Sequence, residues 1–305
     1  MKGSGIRRRE TLIALAFLLP NILGFFAFTA GPVVASLILS FTSWDLLTPP
    51  QWVGLANFWE LIGFHQSVDG IRANDPDFWK YLYNTGFMLM SLPVNIATSL
   101  IVALILVKNI RFTYIYRLVF FLPSILAGIA IYYLWRWIYN PDYGLFNSIL
   151  AFIGIDGPNW LTDPMWVKPA IIIMQIWIMI GGVGMVLYIA ALRNVNTELY
   201  EAAEIDGANS WQSFWAVTWP SVMPVTFFLF TIGIINGLQW GAEAVMVMTE
   251  GGPFGASTTL GYYIYLKAYQ DFEMGYAATI SWILFLLIFG LTLLNWKKGG
   301  GSIED

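Results

Sequence analysis

The sequence predicts an all-α integral membrane protein with six transmembrane helices, and three observations carry this prediction. Of the 305 residues, 58% are hydrophobic and only 11% are charged, whereas a soluble domain is roughly 45–50% apolar and about 25% charged. Six uncharged segments reach or approach the ~20 residues that a membrane-spanning helix needs. The chain also contains 15 Trp, 15 Tyr and 22 Phe, and Trp and Tyr collect at membrane interfaces. This composition excludes a soluble enzyme.

The predicted spans follow the uncharged segments in order. They cover residues 12–42, 82–107, 117–138, 168–192, 220–248 and 274–296. The first span is long enough to tilt, and Pro20 or the Gly31-Pro32 pair is expected to bend it. Gly181-Gly182 is expected to loosen the fourth span. Residues 251–266, which contain Gly-Gly-Pro, are interpreted as an external or re-entrant loop rather than a seventh span.

The distribution of basic residues predicts which side of the membrane each loop occupies. Six spans place both termini on one side, and cytoplasmic loops are enriched in Lys and Arg. Ten of the 15 basic residues fall on a single face: Lys2, Arg7, Arg8, Arg9, Lys108, Arg111, Arg117, Arg193, Lys297 and Lys298. Residues 1–10 and 297–305 are therefore predicted to be cytoplasmic tails, and residues 11–296 the membrane domain.

The scarcity of certain residue types excludes several kinds of site. The chain has no cysteine and a single histidine, His65, so neither a disulfide framework nor a usual zinc site is expected. A net charge of −4 provides no basic surface for nucleic acid. The sequence therefore predicts no catalytic residue, no metal and no cofactor bound by this chain.

One long cytoplasmic loop, residues 194–220, stands apart from the short loops around it. Glu198, Glu201 and Glu204 recur every three residues, which indicates a short helix with acidic residues toward its N-terminal end. Gly207 is expected to form a turn or C-cap. The aromatic residues Trp211, Phe214 and Trp215 then share one helical face, and Pro220 is predicted to begin the fifth span. The pattern predicts a helix–turn–helix beneath the membrane, whose aromatic face contacts either a partner or the lipid interface.

This loop resembles a known motif. The run Glu201-Ala202-Ala203 followed by Asp206-Gly207-Ala208, with Val217 to Pro220 after it, is similar to the EAA loop of binding-protein-dependent ABC importer permeases. The family pattern ends in Ile-x-Leu-Pro, and here the apolar Val217 and Trp219 take the Ile and Leu places. Outside the loop, four segments resemble the sugar-permease subfamily: Val53–Phe58, Asn84-Thr85, Phe121–Pro123 and Trp135–Asn147. A fifth, Thr249–Pro253 with the Thr-rich stretch after it, resembles the first of the two permease subunits of maltose-type and glycerol-phosphate-type importers.

The resemblance implies a type I ABC importer permease fold and a set of partners in the inner membrane of a bacterium or archaeon. In this family a second, homologous permease subunit completes the pathway, two cytoplasmic ATPase subunits drive it, and an extracytoplasmic solute-binding protein delivers the solute. The chain lacks the G-x-x-x-x-G-K-[ST] phosphate loop, which is consistent with ATP and Mg²⁺ being held by the partner ATPase. The resemblance also implies that the loop docks on that ATPase.

Polar residues within the spans are candidates for the solute pathway. Glu243 is the one acidic residue within a predicted span, and an ionisable group at membrane depth is a functional candidate by default. The candidates are Gln175, Trp177, Asn236, Gln239, Trp240 and Glu243. Amides beside indole rings suit carbohydrate, since the ring stacks on C–H groups and the amide holds hydroxyls. Equally, Gln175, Asn236 and Gln239 fit interhelical hydrogen bonds, and Glu243 fits an ion pair with the second subunit.

Two alternatives to this function stay open. The subfamily resemblance and the Trp content favour a sugar or oligosaccharide as solute, while an anionic solute, such as an acidic oligosaccharide like alginate or a glycerol phosphate, is the second possibility. A self-sufficient secondary transporter is less favoured, because such proteins usually carry internal repeats with broken helices, and no such repeat is found here. The segment 64–75 is interpreted as an insert without an assigned role.

Overall fold

The structure, a computed structural model, describes residues 3–68, 70–108, 111–126 and 128–299. Residues 1–2 and 300–305, which belong to the predicted tails 1–10 and 297–305, lie outside the described residues. The α-helices are α1 Gly3–Phe25, α2 Gly31–Leu39, α3 Ala56–Ile62, α4 Pro76–Leu89, α5 Ser91–Val107, α6 Thr113–Ile125, α7 Gly128–Ile138, α8 Leu145–Phe152, α9 Val167–Met179, α10 Val183–Arg193, α11 Thr197–Ile205, α12 Ser210–Ser213, α13 Trp219–Gln239, α14 Ala242–Met248, α15 Leu260–Tyr265 and α16 Met274–Gly299. Three π-helical turns adjoin them: Phe26–Ala30, Phe214–Thr218 and Leu266–Gln270.

The predicted spans correspond to these helices in two ways. Within the described residues, four helical stretches are long and apolar enough to cross a membrane: Ile13–Leu39, Pro76–Val107, Ser210–Gln239 and Met274–Lys297. Two bent helix pairs, α6 with α7 and α9 with α10, bring the number to six if each pair is one span. The second pair bends by 44° at the predicted position, because α9 ends at Met179 and α10 resumes after Gly181-Gly182.

Two helices extend beyond the predicted spans. Helix α1 begins at Gly3, where several good helix formers and no proline precede Pro20, while the stretch apolar enough to cross a membrane, Ile13–Leu39, agrees with the predicted span 12–42. The helix of the fifth span begins before Pro220, because one helical stretch runs from Ser210 to Gln239. The π-helical turn Phe214–Thr218 precedes Pro220, and the N–H of Trp219 bonds the carbonyl of Phe214. This wider turn accommodates a residue that has no N–H to donate.

The fifth span is also broken near its far end. Helix α13 ends at Gln239, and Gly241 has a φ of +107°, which only glycine adopts readily. Helix α14 then carries Glu243, so this residue does not lie on the same helix as Asn236 and Gln239, contrary to the predicted continuous span 220–248. The predicted loop 251–266 likewise ends in helix, because α15 begins at Leu260.

The described residues form two compact units. Unit 1 comprises Met1–Asp75 and Ile264–Ile283, and it contains two short antiparallel hairpins, β1 Thr42–Ser43 with β2 Gln51–Trp52 and β3 Phe64–Ser67 with β4 Gly70–Ala73. The segment interpreted as an insert is thus the second hairpin, in which Phe64 pairs with Ala73 and Ser67 with Gly70. In this unit the hydroxyl of Thr279 donates to the carbonyl of Ser40, at 2.9 Å.

Unit 2 comprises Pro76–Tyr263 and Leu284–Asp305. Its core joins α5, α10 and α13 through buried residues of each helix: Leu100, Val102, Ala103, Leu106, Met185, Tyr188, Ile189, Leu192 and Val222. The hydroxyl groups of Tyr188 and Thr226 lie 2.8 Å apart and link α10 to α13 inside this core. Phe214 and Trp219 pack against its edge, so the loop 194–220 is attached directly to the membrane helices.

Candidate coupling loop and solute pathway

The first half of the loop 194–220 is a capped helix. Asn196 is the N-cap of α11, and its side-chain oxygen accepts from the backbone N–H of Glu198 at 3.1 Å. At the other end, Gly207 has a φ of +79°. The N–H of Gly207 bonds the carbonyl of Glu204, and the N–H of Ala208 bonds that of Ala203. These two bonds are a Schellman motif, in which the glycine satisfies carbonyls that the helix leaves open.

The second half begins with a second cap. Asn209 and Gln212 form a capping box, in which each side chain accepts from the backbone N–H of the other, at 3.0 and 2.8 Å. Helix α12 follows and runs through the π-helical turn into α13. The loop is therefore a helix–turn–helix, as the sequence predicts, and its tight turn is fixed by local hydrogen bonds.

The predicted aromatic residues form a ring cluster at the start of the second helix. Trp211, Phe214 and Trp215 contact one another, with ring centroids 5.1 to 6.1 Å apart. Trp219 extends the cluster, 5.7 Å from Trp215. Trp211 is 68% exposed and Trp215 49% exposed, whereas Phe214 packs against the core of unit 2. The three predicted residues thus have different roles, because two present a surface and one anchors it.

The acidic helix α11 has an exposed face of its own. Glu201, Ala202, Glu204 and Asp206 are all exposed. Two exposed apolar residues on this helix, Leu199 and Ile205, were not predicted from the sequence, and Ile205 is 86% exposed. The available signal was that each lies three residues from Ala202, so the three share one helix face.

One side-chain contact connects the two halves. The hydroxyl groups of Tyr200 and Thr218 lie 2.9 Å apart and tie α11 to the π-helical turn. Ala203 and Ala208 are half-buried near the turn, and Pro220 lies in the first turn of α13. A force applied to α11 is therefore transmitted to the membrane helices through the turn at Gly207 and through this hydroxyl pair.

The structure separates the candidate pathway residues into two groups. Gln175 is buried, and its side-chain oxygen accepts from the hydroxyl of Ser91 at 2.8 Å, which is the interhelical hydrogen bond that the alternative interpretation predicts. Trp177 packs edge-to-face on Trp135, with centroids 5.7 Å apart. These two residues therefore contribute to helix packing in unit 2.

The second group lies at the end of the fifth span. Asn236, Gln239 and Glu243 are exposed and Trp240 is half-buried. Gln239 donates to the carbonyl of Ile235 in its own helix. Between the two helices, a Cβ at Gly241 would lie 3.0 Å from the Cγ2 of Thr259, and its φ is positive, so this break requires glycine. Exposed polar groups at membrane depth suit a water-filled pathway or a second polypeptide.

A second polar network, which the sequence did not reveal as such, fixes the loop 249–259. The buried amide of Asn84 donates to the carbonyls of Gly255 and Thr258, at 3.0 and 2.9 Å, and its oxygen accepts from Lys168 at 3.1 Å. The hydroxyl of Thr85 accepts from the N–H of Leu260. The ammonium of Lys80 donates to the carbonyl of Phe254. Helix α4 thus holds the loop at several points.

Hydrogen bonds within the loop 249–259 complete this network. The hydroxyl groups of Thr249 and Ser257 lie 2.7 Å apart, Ser257 donates to the carbonyl of Gly252, and Thr258 to that of Gly251. Three consecutive residues, Ser257 to Thr259, are buried. Phe254, by contrast, is 90% exposed at the tip. A rigid loop therefore presents a single aromatic ring.

Comparisons with known proteins agree with this geometry. A family model described as "Binding-protein-dependent transport system inner membrane component" matches residues 82–296. The probable ABC transporter permease YesP of Bacillus subtilis is 35% identical over 97% of this chain and 93% of its own length. The lactose transport system permease LacF of Rhizobium radiobacter is 34% identical, covering 96% of this chain and 95% of LacF.

Further matches include a second curated permease and a solved structure. The arabinooligosaccharides transport system permease AraP of Bacillus subtilis is 30% identical over 93% of this chain and 87% of its own. A chain from the crystal structure of a bacterial ABC transporter that imports the acidic polysaccharide alginate has a TM-score of 0.79 and 24% identity, covering 96% of both chains. At this identity the likeness establishes the fold, that of a type I ABC importer permease.

Proposed function

Because the chain belongs to the family of binding-protein-dependent transport system inner membrane components, we infer that it is the multi-pass permease subunit of an ATP-driven importer that moves a sugar or oligosaccharide into the cytoplasm. The relatives named for lactose and arabinooligosaccharide transport support the solute class. An anionic solute is the second candidate. The alginate importer chain is only 24% identical to this chain, so the likeness supports the fold and does not favour an anionic solute.

The observation that carries the proposal is the form of the loop 194–220. It is a capped helix, a Schellman turn at Gly207 and a second helix that continues into the membrane. Its exposed surface combines acidic residues on α11 with Trp211 and Trp215. A locally rigid element that presents aromatic side chains suits a protein partner, and rigid-body movement of such an element transmits motion to the helices attached to it.

We assign the partners by this surface and by the family. One of the two ATPase subunits binds the loop through Glu201, Ala202, Asp206, Trp211 and Trp215, and the ATPase subunits hold ATP and Mg²⁺. A homologous second permease subunit completes the pathway beside Asn236, Gln239, Trp240 and Glu243. An extracytoplasmic solute-binding protein delivers the solute, in keeping with the name of the family.

Reconstitution of the whole transporter tests this function. The chain, its second permease subunit, the ATPase subunits and the binding protein are placed in liposomes, and uptake of radiolabelled neutral oligosaccharides and uronate oligosaccharides is measured in separate arms. We expect neutral oligosaccharide uptake that needs both ATP and the binding protein. Uptake by the chain without any ATPase would contradict the proposal and favour a secondary transporter. Uptake confined to the uronate arm would support the anionic alternative.

A further inference from the structure

A groove between α6 and α10 lies outside both the loop 194–220 and the candidate solute pathway. It encloses about 360 Å³ and is lined by Leu118 and Phe121 from α6, Met185, Val186 and Ile189 from α10, and Arg117. All of these side chains except Arg117 are apolar. The volume lies within the roughly 300–1,000 Å³ of ordinary ligand sites.

The groove has a charged end and an apolar end. Arg117 lies one turn into α6, which begins at Thr113, and Phe121 lies one turn further along. On the other wall, Val186 and Ile189 precede Arg193, the last residue of α10. Residues three and four apart share a helix face, so Arg193 follows Ile189 on the groove side. Both arginines therefore lie near the membrane surface, and the apolar residues lie deeper.

The charge of Arg117 is incompletely satisfied within this chain. Its Nη2 donates to the carbonyl of Leu106 at 3.1 Å, while its Nε is buried and has no acceptor among the described residues. Within those residues, no carboxylate lies within 4.0 Å of the guanidinium. A partly buried guanidinium without an acidic partner is costly, and a phosphate group is a charged acceptor that its remaining N–H donors can bind.

We propose that this groove binds one anionic phospholipid of the leaflet on the Arg193 side, which the basic residues predict to be cytoplasmic. The phosphate contacts Arg117, with Arg193 adding a second positive charge, and one acyl chain lies along Leu118, Phe121 and Val186. Leu118 is 60% exposed and Val186 is 48% exposed, so the groove opens outward in a protein of the inner membrane. Basic pockets between membrane helices on this side bind anionic headgroups in other proteins.

Native mass spectrometry of the assembled transporter, purified from membranes and then supplied with phosphatidylglycerol or phosphatidylcholine, tests the site. We expect the wild type to retain phosphatidylglycerol after detergent exchange, under conditions in which phosphatidylcholine is lost. Arg117→Gln is expected to reduce retention at least fivefold, and Arg117→Lys, which keeps the charge, to reduce it less. Val186→Trp fills the groove without changing charge and is expected to abolish retention.

Arg111→Gln is the matched control. Arg111 is basic like Arg117 but exposed, and it lies over the ring of Phe112 at 5.2 Å; it does not line the groove. This variant is expected to retain lipid as the wild type does. Unchanged retention in both Arg117→Gln and Val186→Trp, or equal retention of the two lipids, would overturn the proposal. So would a cross-link from Val186→Cys to the second permease subunit, because a protein helix would then fill the groove. Lipid retention is measured without transport, so its outcome is independent of the proposed function.

Discussion

Two loops of unit 2 are held in place in different ways. The loop 194–220 is organised by caps that lie within it, at Asn196, Gly207 and Asn209. The loop 249–259 is held from outside, by Asn84 and Thr85 of α4. The first exposes most of its helical surface, and the second buries three consecutive hydroxyl-bearing residues and exposes Phe254.

This difference follows from what each loop needs for its stability. A loop that docks on another protein must keep its shape while its outer face stays uncovered, and hydrogen bonds within the loop, together with the packing of Phe214 and Trp219 on the core, meet that condition. A loop held by distant side chains becomes part of the core and loses stability when one of those side chains is removed. We therefore expect substitutions in the first loop to affect coupling, and those around the second to affect stability.

The largest effect is expected for Gly207→Pro. Proline fixes φ near −65° and has no N–H, whereas this position has a φ of +79° and donates to Glu204. The Schellman turn cannot form, so we expect uptake into proteoliposomes to fall at least tenfold while the protein remains in the membrane and ATP hydrolysis continues uncoupled. Normal transport by this variant would contradict the assigned role of the turn.

Gly207→Ala is expected to have a milder form of the same effect. A Cβ at this position meets no atom within 4 Å, so the substitution is opposed only by the left-handed backbone, at about 1–2 kcal/mol. Uptake is expected to fall only a few-fold. A loss as large as that of the proline variant would point to a requirement for close approach of a partner rather than for turn geometry.

The next largest effect is expected for Asn84→Ala, on stability. The substitution leaves the carbonyls of Gly255 and Thr258 without their donor, and an unsatisfied buried group costs about 1–3 kcal/mol. We expect a lower melting temperature in detergent, measured by intrinsic Trp fluorescence. Asn236→Ala is the control, because Asn236 is exposed. It is expected to leave melting unchanged and to lower uptake; the reverse pattern would contradict both assignments.

A smaller effect is expected within the aromatic cluster, where Trp211 is expected to affect ATPase association and Phe214 to affect stability. Truncation of an aromatic hot-spot residue at an interface costs about 2 kcal/mol of binding or more, so Trp211→Ala is expected to weaken ATPase association on the order of thirtyfold with little change in melting. Phe214→Ala removes a ring that packs on the core and is expected to lower the melting temperature. Equal loss of melting temperature in both variants would mean that Trp211 is a packing residue.

The smallest effect is expected for Tyr200→Phe. The substitution removes one hydroxyl from the pair with Thr218, and a single hydrogen bond contributes about 1 kcal/mol. We expect no more than a twofold to threefold decrease in uptake, without a change in ATPase binding. A loss as severe as that of Gly207→Pro would place the mechanical joint at the hydroxyl pair instead of the turn.

Local sequence signals predicted the first loop well and the second loop poorly. The glycine turn and the aromatic face of residues 194–220, which the sequence predicted, depend on neighbours within a few residues. The caps at Asn196 and Asn209 are equally local, but the sequence analysis did not assign them. The network around Asn84 joins residues more than 170 positions apart. No pattern in the sequence around Asn84 or in residues 249–259 indicates that the two segments are in contact. The resemblance of Asn84-Thr85 and of Thr249–Pro253 to one subfamily was the available signal.

The helix boundaries around the fifth span differ from the predicted span for a related reason. A proline usually lies at the start of a helix, but the π-helical turn Phe214–Thr218 lets the helix continue through Pro220. Gly241 lies within an apolar run of the sequence, and neither its positive φ nor the closeness of Thr259, 3.0 Å from where a Cβ would lie, can be seen in that pattern. That break separates Glu243 from Asn236 and Gln239, whereas the burial of Gln175 follows from Ser91 on another helix.

Site-specific cross-linking provides the most direct test of the central claim, that the loop 194–220 is the docking element for the ATPase. The chain contains no cysteine, so Ala202→Cys and Phe254→Cys each introduce a single exposed thiol. In the assembled transporter we expect the thiol at position 202 to cross-link to an ATPase subunit and to change in yield when ATP binds. The thiol at position 254 should give no ATPase cross-link. Absence of a cross-link from position 202, or an ATPase cross-link from position 254, would contradict the claim.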